Sequence, residues 1–316
     1  MGYGFAGHIG FAREAAFGTP VAATGYFEAL SENFVLAKDR YDTKNIVAGY
    51  YEPDDAAGVN RLAGDIALSC HPDPLGHLLY QALGISSATA VLSGFLYANT
   101  FTSQQTDTGS DNALPSATYE IFRDVSSSQQ LAGACISQLV LNCQPNQALR
   151  ATASLIGRSM TNIAKTTPSF PGSPVEAFTF DTCSFSLGGL ATTKIEGFTL
   201  TLNNQLQGIP ALNNSANIAR IRRGGPVMGT LGGTIAFDNL TEYLDFINQT
   251  ERAVKIYFTK ASSHSLLLDI PRIVYSAFPN GMGGRERLTV AFESKLRYHT
   301  GSANALSAVL TNTKSY

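Results

Sequence analysis

The sequence predicts a mainly β protein: two tandem β-sandwich or barrel domains, each with one short α-helix. Three observations predict this. Short runs of two-residue alternation dominate the chain, only two segments carry helical spacing, and one order of strand, helix and hairpin occurs twice.

The strands come first. Phe198-Thr199-Leu200-Thr201-Leu202 places three apolar residues on one face and two threonines on the other, the pattern of a half-buried strand. Similar runs occur at Asn33–Lys38, Asp65–Cys70, Tyr119–Arg123, Ile136–Cys143, Ala151–Arg158, Thr234–Asp238, Val254–Lys260, Leu266–Phe278 and Leu288–Lys295. The first helix is predicted over Pro74–Gly84, with Leu75, Leu78, Leu79, Ala82 and Leu83 on one stripe, Asp73 as N-cap and Gly84 as C-terminal cap. The second is predicted over Leu240–Gln249, with Leu240, Tyr243, Leu244 and Ile247 on its stripe, Asn239 as N-cap and Glu242 three residues on. Both are too short to stand alone, so each is expected to lay its stripe on a sheet.

Each helix follows a similar strand, Gly64–Leu68 and Gly233–Phe237. Phe34-Val35-Leu36 aligns with Phe198-Thr199-Leu200, Tyr119–Phe122 with Val254–Tyr257, and the hairpin Ile136–Gly157 with Ile270–Phe292. The offset is 169 at Gly64 and Gly233 but 134 at Pro145 and Pro279. The difference of 35 falls between helix and next strand, where the first half carries an extra stretch at about Ile85–Ala117. The expected division is a first domain over 1–167, with an N-terminal arm and the 85–117 insertion, a linker over 168–177, and a second domain over 178–316. Pro168, Pro171 and Pro174 make Thr166–Val175 read as an extended connector.

Composition narrows the function. The chain has 316 residues, about two domains' worth. Charged residues are only 15 % and hydrophobic ones 44 %, so disorder is excluded as the main state. A net charge of −2 excludes a nucleic-acid-coating role, which needs a basic excess. So little charge also suits surface buried against partner subunits. No apolar stretch reaches the roughly 18 residues of a membrane helix. Met1–Phe5 is not a secretory signal, and Ala6 stands where a myristoylation signal wants Ser or Thr, so assembly in a cytoplasm is expected.

Chemistry-bearing motifs are absent. Cys70, Cys135, Cys143 and Cys183 lack metal-ligand spacing and read as free thiols. His71 and His77 are six residues apart, not on one helix face, and read as capping or surface histidines. Gly229–Gly233 and Gly281–Arg285 read as turns, without the lysine and hydroxyl of a phosphate loop. No nucleophile elbow is present, and Glu14, Glu28 and Glu32 are carboxylates that could pair in principle. The expectation is no catalytic, cofactor or metal site and no enzyme. What stands out is two long loops, about Tyr41–Arg61 and Asn203–Arg223, where charges and tyrosines interleave. Tyr41, Lys44, Tyr50, Tyr51, Glu52, Asp54, Asp55 and Arg61 in the first, with Arg220, Arg222 and Arg223 in the second, are the candidate protein–protein contacts.

Several of these segments resemble tailed-phage tail tube proteins (major tail proteins). They are Gly7–Phe11 with Glu14 and Gly18–Ala23, Tyr119–Arg123, Phe178–Asp181, Asn203–Asn214 and Arg297–Gly301. The resemblance spans nearly the whole chain and points to the type with two tandem tube domains. It implies rings of six sandwich-like domains whose inner sheets join into a β-barrel, stacked into a hollow tube that conducts DNA during ejection. With two domains per chain, the implied ring is a homotrimer with pseudo-sixfold symmetry; a hexamer of chains is the alternative. Implied partners are the chain itself, a tape measure protein, tail terminator and baseplate proteins, and double-stranded DNA in transit through a neutral to acidic bore. The implied place is the virion tail. The inner tube of a contractile injection system is a near alternative. An outer-membrane β-barrel is a distant one, opposed by the two capped helices and the missing signal. A carbohydrate-binding or hydrolytic sandwich is opposed by the absence of Trp.

Overall fold

The computed structural model describes all residues except 1, 43, 47–49, 52–53, 93–95, 171–174, 261–263, 280 and 282–286. The first half runs through a 3₁₀ turn (Gly4–Ala6), β1 (His8–Arg13), β2 (Gly25–Phe27), β3 (Ala29–Glu32), β4 (Val35–Asp42), β5 (Asp55–Ser69) and α1 (Pro72–Leu83). It continues with β6 (Gly84–Leu92), β7 (Leu96–Ser103), β8 (Ala117–Phe122), β9 (Ser128–Cys143), β10 (Arg150–Gly157) and β11 (Ser159–Ile163). The second half opens on a 3₁₀ turn (Phe180–Thr182), then β12 (Cys183–Leu187), β13 (Leu190–Thr192), β14 (Ile195–Asn203), β15 (Leu206–Ile209), β16 (Arg220–Arg223) and β17 (Met228–Ala236). It ends with α2 (Thr241–Ile247), β18 (Arg252–Lys260), β19 (His264–Ala277), β20 (Thr289–Leu296) and β21 (Ser307–Asn312).

Every alternating run of the sequence falls on a strand. One antiparallel walk crosses both halves: β4–β5–β10–β9–β14–β17–β20–β19. The long strands β9 and β19 change partners midway. The first part of β9 pairs with β8 and β11, its last part with β10 and β14. Gly133 makes the bend in β9, with φ +66 that a side chain would resist. The strands β8, β1 and β2 form a second layer facing the walk. Between the layers lies one apolar core reaching from Ile9 and Tyr119 to Ile256 and Leu310.

The helix α1 buries Leu75, Leu78, Leu79, Ala82 and Leu83 almost completely, each leucine adding about 1.5–3 kcal/mol. It starts earlier than expected, at Pro72, with His71 in the N-cap place and no side-chain cap. Proline fits the first turn, so the start moves upstream, and the Asp73 carboxylate instead accepts from Thr313 N (3.2 Å) and Thr313 Oγ1 (2.8 Å). Gly84 ends the helix in the left-handed region, φ +96.

The helix α2 departs further from expectation. Asn239 Oδ1 does accept from Thr241 N (3.0 Å), but Leu240, Leu244 and Ile247 are each about half exposed. The side turned inward holds Glu242 and Asp245, buried by ion pairs with Lys194 (3.3 Å) and Arg252 (2.8 Å). Those pairs, with Tyr243 packed between Phe246 and Phe278, fix the helix's rotation and leave the aliphatic stripe outside.

Three other expectations change. Both ends of the loop over 41–61 are strand, 41–42 in β4 and 55–61 in β5, which extend as a long hairpin; the loop over 203–223 contains the β15–β16 hairpin. The expected N-terminal arm is woven into its own sheet, β1 lying between β2 and β8. The insertion forms the β6–β7 hairpin, whose β7 pairs with β21 of the other half. The linker's Pro171–Pro174 lie outside the described residues.

Candidate assembly interface

The two halves meet through backbone. The last part of β9 pairs with β14 from Gln138↔Asn203 to Cys143↔Phe198. Alternation sends Leu139, Leu141 and Cys143, with Phe198, Leu200 and Leu202, into the core, where each is 2–4 % exposed. The opposite face is polar, and Asn142 Nδ2 donates to Thr199 Oγ1 (2.7 Å) across the seam.

Outside this seam the same two kinds of strand are one-sided among the described residues. β4 corresponds to β14 by register: Leu36 opposes Leu62 as Leu200 opposes Leu231. Yet β4 pairs with β5 alone, and its Val35 is 62 % exposed. β19 corresponds to β9, and beyond Ile273 it pairs with β20 alone. Open strand edges are templates for another chain. No sequence signal marked these edges; only the repeated Phe-x-Leu of Phe34 and Phe198 could have found them, by asking what each copy pairs with.

A second seam ties the halves at β7 and β21. Beyond β21 the chain packs onto α1. The Tyr316 hydroxyl donates to the Asp73 carbonyl oxygen and accepts from Asn312 Nδ2 (3.0 Å), while Tyr316 N donates to Asn99 Oδ1 (3.3 Å). The Tyr316 ring meets His77 edge-on at 4.9 Å, and His77 packs on Phe11 at 4.2 Å. His77 is therefore a half-buried packing residue, its pKa pushed down to about 3 first by desolvation, then by the charges of Arg13 and Lys314.

The face of the eight-strand walk turned from the core mixes hydroxyl and amide side chains with apolar and a few charged ones. One cross-strand row reads Ala67, Thr152, Val140, Thr201, Thr230, Lys295, Val274. A second reads Asp65, Ser154, Gln138, Asn203, Met228, and a third Ser69, Arg150, Asn142, Thr199, Gly232, Glu293. Their charges, Asp65 and Glu293 against Arg150 and Lys295, balance.

The candidate contact residues separate into two groups. Tyr41, Lys44, Tyr50, Tyr51, Asp54 and Asp55 are exposed at the far end of the β4–β5 hairpin; Glu52 lies outside the described residues. Arg40 and Asp55 form a bidentate pair there, which lowers the Asp55 pKa, and Arg61 Nε donates to Asp39 Oδ2 (2.8 Å). Arg220, Arg222 and Arg223 instead turn toward the 104–112 segment of their own chain. Arg220 pairs with Asp111 (3.4 Å), Arg222 with Asp107, and Arg223 Nη2 donates to Gln104 O (3.2 Å).

The groups weighed for chemistry have structural partners. Glu14 accepts from Gly18 N (2.9 Å), Ser116 Oγ (2.7 Å), Thr118 Oγ1 (2.7 Å) and Gly133 N (2.8 Å), fastening β1 to the bend of β9. Glu32 forms an ion pair with Arg123 (2.6 Å), and Glu28 lies 3.4 Å from His71. Among the described residues, no three His, Cys, Asp or Glu side chains stand close enough to hold a metal. Burial pushes all four thiols up, Cys143 to about 11.

Open strand edges beside a finished backbone seam are the features of a block that assembles by strand pairing. Residues 4–294 match the family model described as phage tail tube protein, and the chain belongs to that family. It is a structural protein of the phage virion tail, of a family that self-assembles into a tube and is not known for enzymatic activity. No curated protein matches the sequence.

Proposed function

We propose that the chain carries two tandem tube domains, divided near 168–177, and that three chains close into a ring through copies of the β9–β14 seam. The observation that carries this is the pairing of β9 with β14 inside one chain, while β19 and β4 remain one-sided. Joining β19 of one copy to β4 of the next repeats the seam. It is a head-to-tail contact, and closure after three chains removes every open edge of the walk.

The polar face of the walk then lines the bore. Hydroxyls and amides with balanced charge neither grip nor strongly repel a phosphate backbone, as transit of double-stranded DNA requires. The exposed end of the β4–β5 hairpin makes the ring-to-ring contact, with the tape measure, terminator and baseplate proteins as further partners of the tube. Native mass spectrometry of purified rings tests the count. The expected ring weighs three times the 33.6 kDa chain. Six chains per ring would overturn the two-domain reading, and a chain that stays single at every concentration would overturn closure itself.

A further inference from the structure

Each half carries a groove of about 400 Å³ built from the same parts. In the second half its walls are the 3₁₀ turn at Phe180, the start of β12, the end of β13, and the run into β14 through Glu196. In the first half they are the 3₁₀ turn at Gly4, the start of β1, Phe27 at the end of β2, and the run into β4 through Leu30 and Glu32. Register confirms the match of walls: Ile9 opposes Ile121 and Phe27, as Phe185 opposes Ile256 and Thr192.

The grooves differ in two walls: Ile121 and Phe122 of β8, with the adjoining Arg123, line only the first, and a hairpin tip lines only the second. In the second half, Cys143, Gln144 and Pro145 from the tip of the β9–β10 hairpin close one side. That tip is held firmly. Gln144 lies so close over Gly197 that a Cβ there would collide with it. Phe180 N donates to Gln147 O (3.1 Å), and Leu149 N donates to Phe178 O (2.7 Å). The first half's groove has no hairpin tip among its described lining. Around it stand Tyr3 at 54 %, Phe5 at 89 % and Leu30 at 56 % exposure, beside the open edge of β4. So much exposed apolar surface next to an unpaired strand marks a docking surface.

The geometry points to one occupant: the tip of the β19–β20 hairpin of the next copy seats in the groove of Gly4, Phe27, Leu30 and Glu32. This rests on the ring reading and deepens it. β4 and β19 fix the register of the seam, and the groove supplies side-chain contact that excludes water from its end. The internal seam shows what such a tip does when it arrives.

The test places a photo-reactive benzoylphenylalanine at Leu30 of the full chain, irradiates assembled rings, and identifies the joined peptides by mass spectrometry. The expected product has twice the chain's mass and joins Leu30 to the 274–289 region of another copy. Rings that form but give no product, or products with any other region, overturn the groove assignment and leave the ring standing. Absence of rings from the unmodified chain overturns the ring reading, and the groove with it. As a second arm, Leu30→Arg raises the concentration for half-assembly by about tenfold, one buried contact's worth; an unchanged value counts against the groove.

Discussion

Replacing Gly76 by alanine is a sharp test of how the chain beyond β21 is held. Gly76 sits on α1 beneath the Tyr316 ring, and a Cβ at this position would overlap ring atoms. The helix cannot yield, because Leu75, Leu78 and Leu79 anchor it in the core. Tyr316 must therefore leave. Exposing its ring costs about 2–4 kcal/mol in burial and aromatic contact. Alanine returns about 1 kcal/mol through its better helix propensity. The net expectation is a loss of about 1–3 kcal/mol. The assay is urea unfolding of four proteins: the parent, Gly76→Ala, Tyr316→Ala and the double variant. With Tyr316 already truncated, the clash vanishes, and Gly76→Ala should stabilise by about 1 kcal/mol. A reversal of sign is thus expected. If Gly76→Ala costs as much without the Tyr316 ring as with it, the docking described here is wrong.

Three further outcomes follow from the site and the packing. Reversing Asp54 and Asp55 to lysine sets cations beside Arg40 at the exposed hairpin end; tubes should shorten and yield fall by electron microscopy, while the urea midpoint of the chain holds. The native chain keeps His77 neutral down to about pH 3, whereas the unfolded chain protonates it below its ordinary 6.5. The unfolded state then binds the extra proton, so stability is full above pH 6.5 and falls by up to about 2 kcal/mol by pH 5; His77→Phe should flatten that fall in urea titrations. The Cys143 thiol, pushed up to about 11, should react with iodoacetamide at pH 8 at least about 100-fold more slowly than in the unfolded chain.

The fold was legible at those elements whose wet face carries polar residues and whose buried face carries apolar ones. Phe198–Leu202 alternates because threonines face away from the core, and α1 shows its stripe because five apolar residues share one buried side. Strand β1 was not legible, since His8–Ala12 is buried on both faces and has no alternation to read. The strand content of 41–61 was hidden by its charges: Asp39, Arg40, Asp55 and Arg61 look like loop residues but pair across two exposed strands. The stripe of α2 misled because apolar spacing says which residues share a face, not which face turns inward. Glu242 and Asp245 decided that through Lys194 and Arg252, partners distant in sequence. The structure sorts the candidate contact residues by exposure and by partners within the chain. Tyr41, Tyr50, Tyr51, Asp54 and Asp55 are exposed, but Arg222 and Arg223 are tied to the 104–110 segment. The edges of β4 and β19 carry no special residues, because backbone amides recognise backbone whatever the side chains.

The intramolecular β9–β14 seam has a kinetic corollary. Two units on one polypeptide find each other by loop closure, at the high local concentration a tether imposes, and not by diffusion through the cell. In the proposed six-part annulus, three tethered pairs need about two bimolecular encounters where six separate parts would need about five, so the loss of translational and rotational freedom falls to roughly two fifths. In the proposed ring, covalent pairing also forbids an odd part number, so a five- or seven-part miscount would not close.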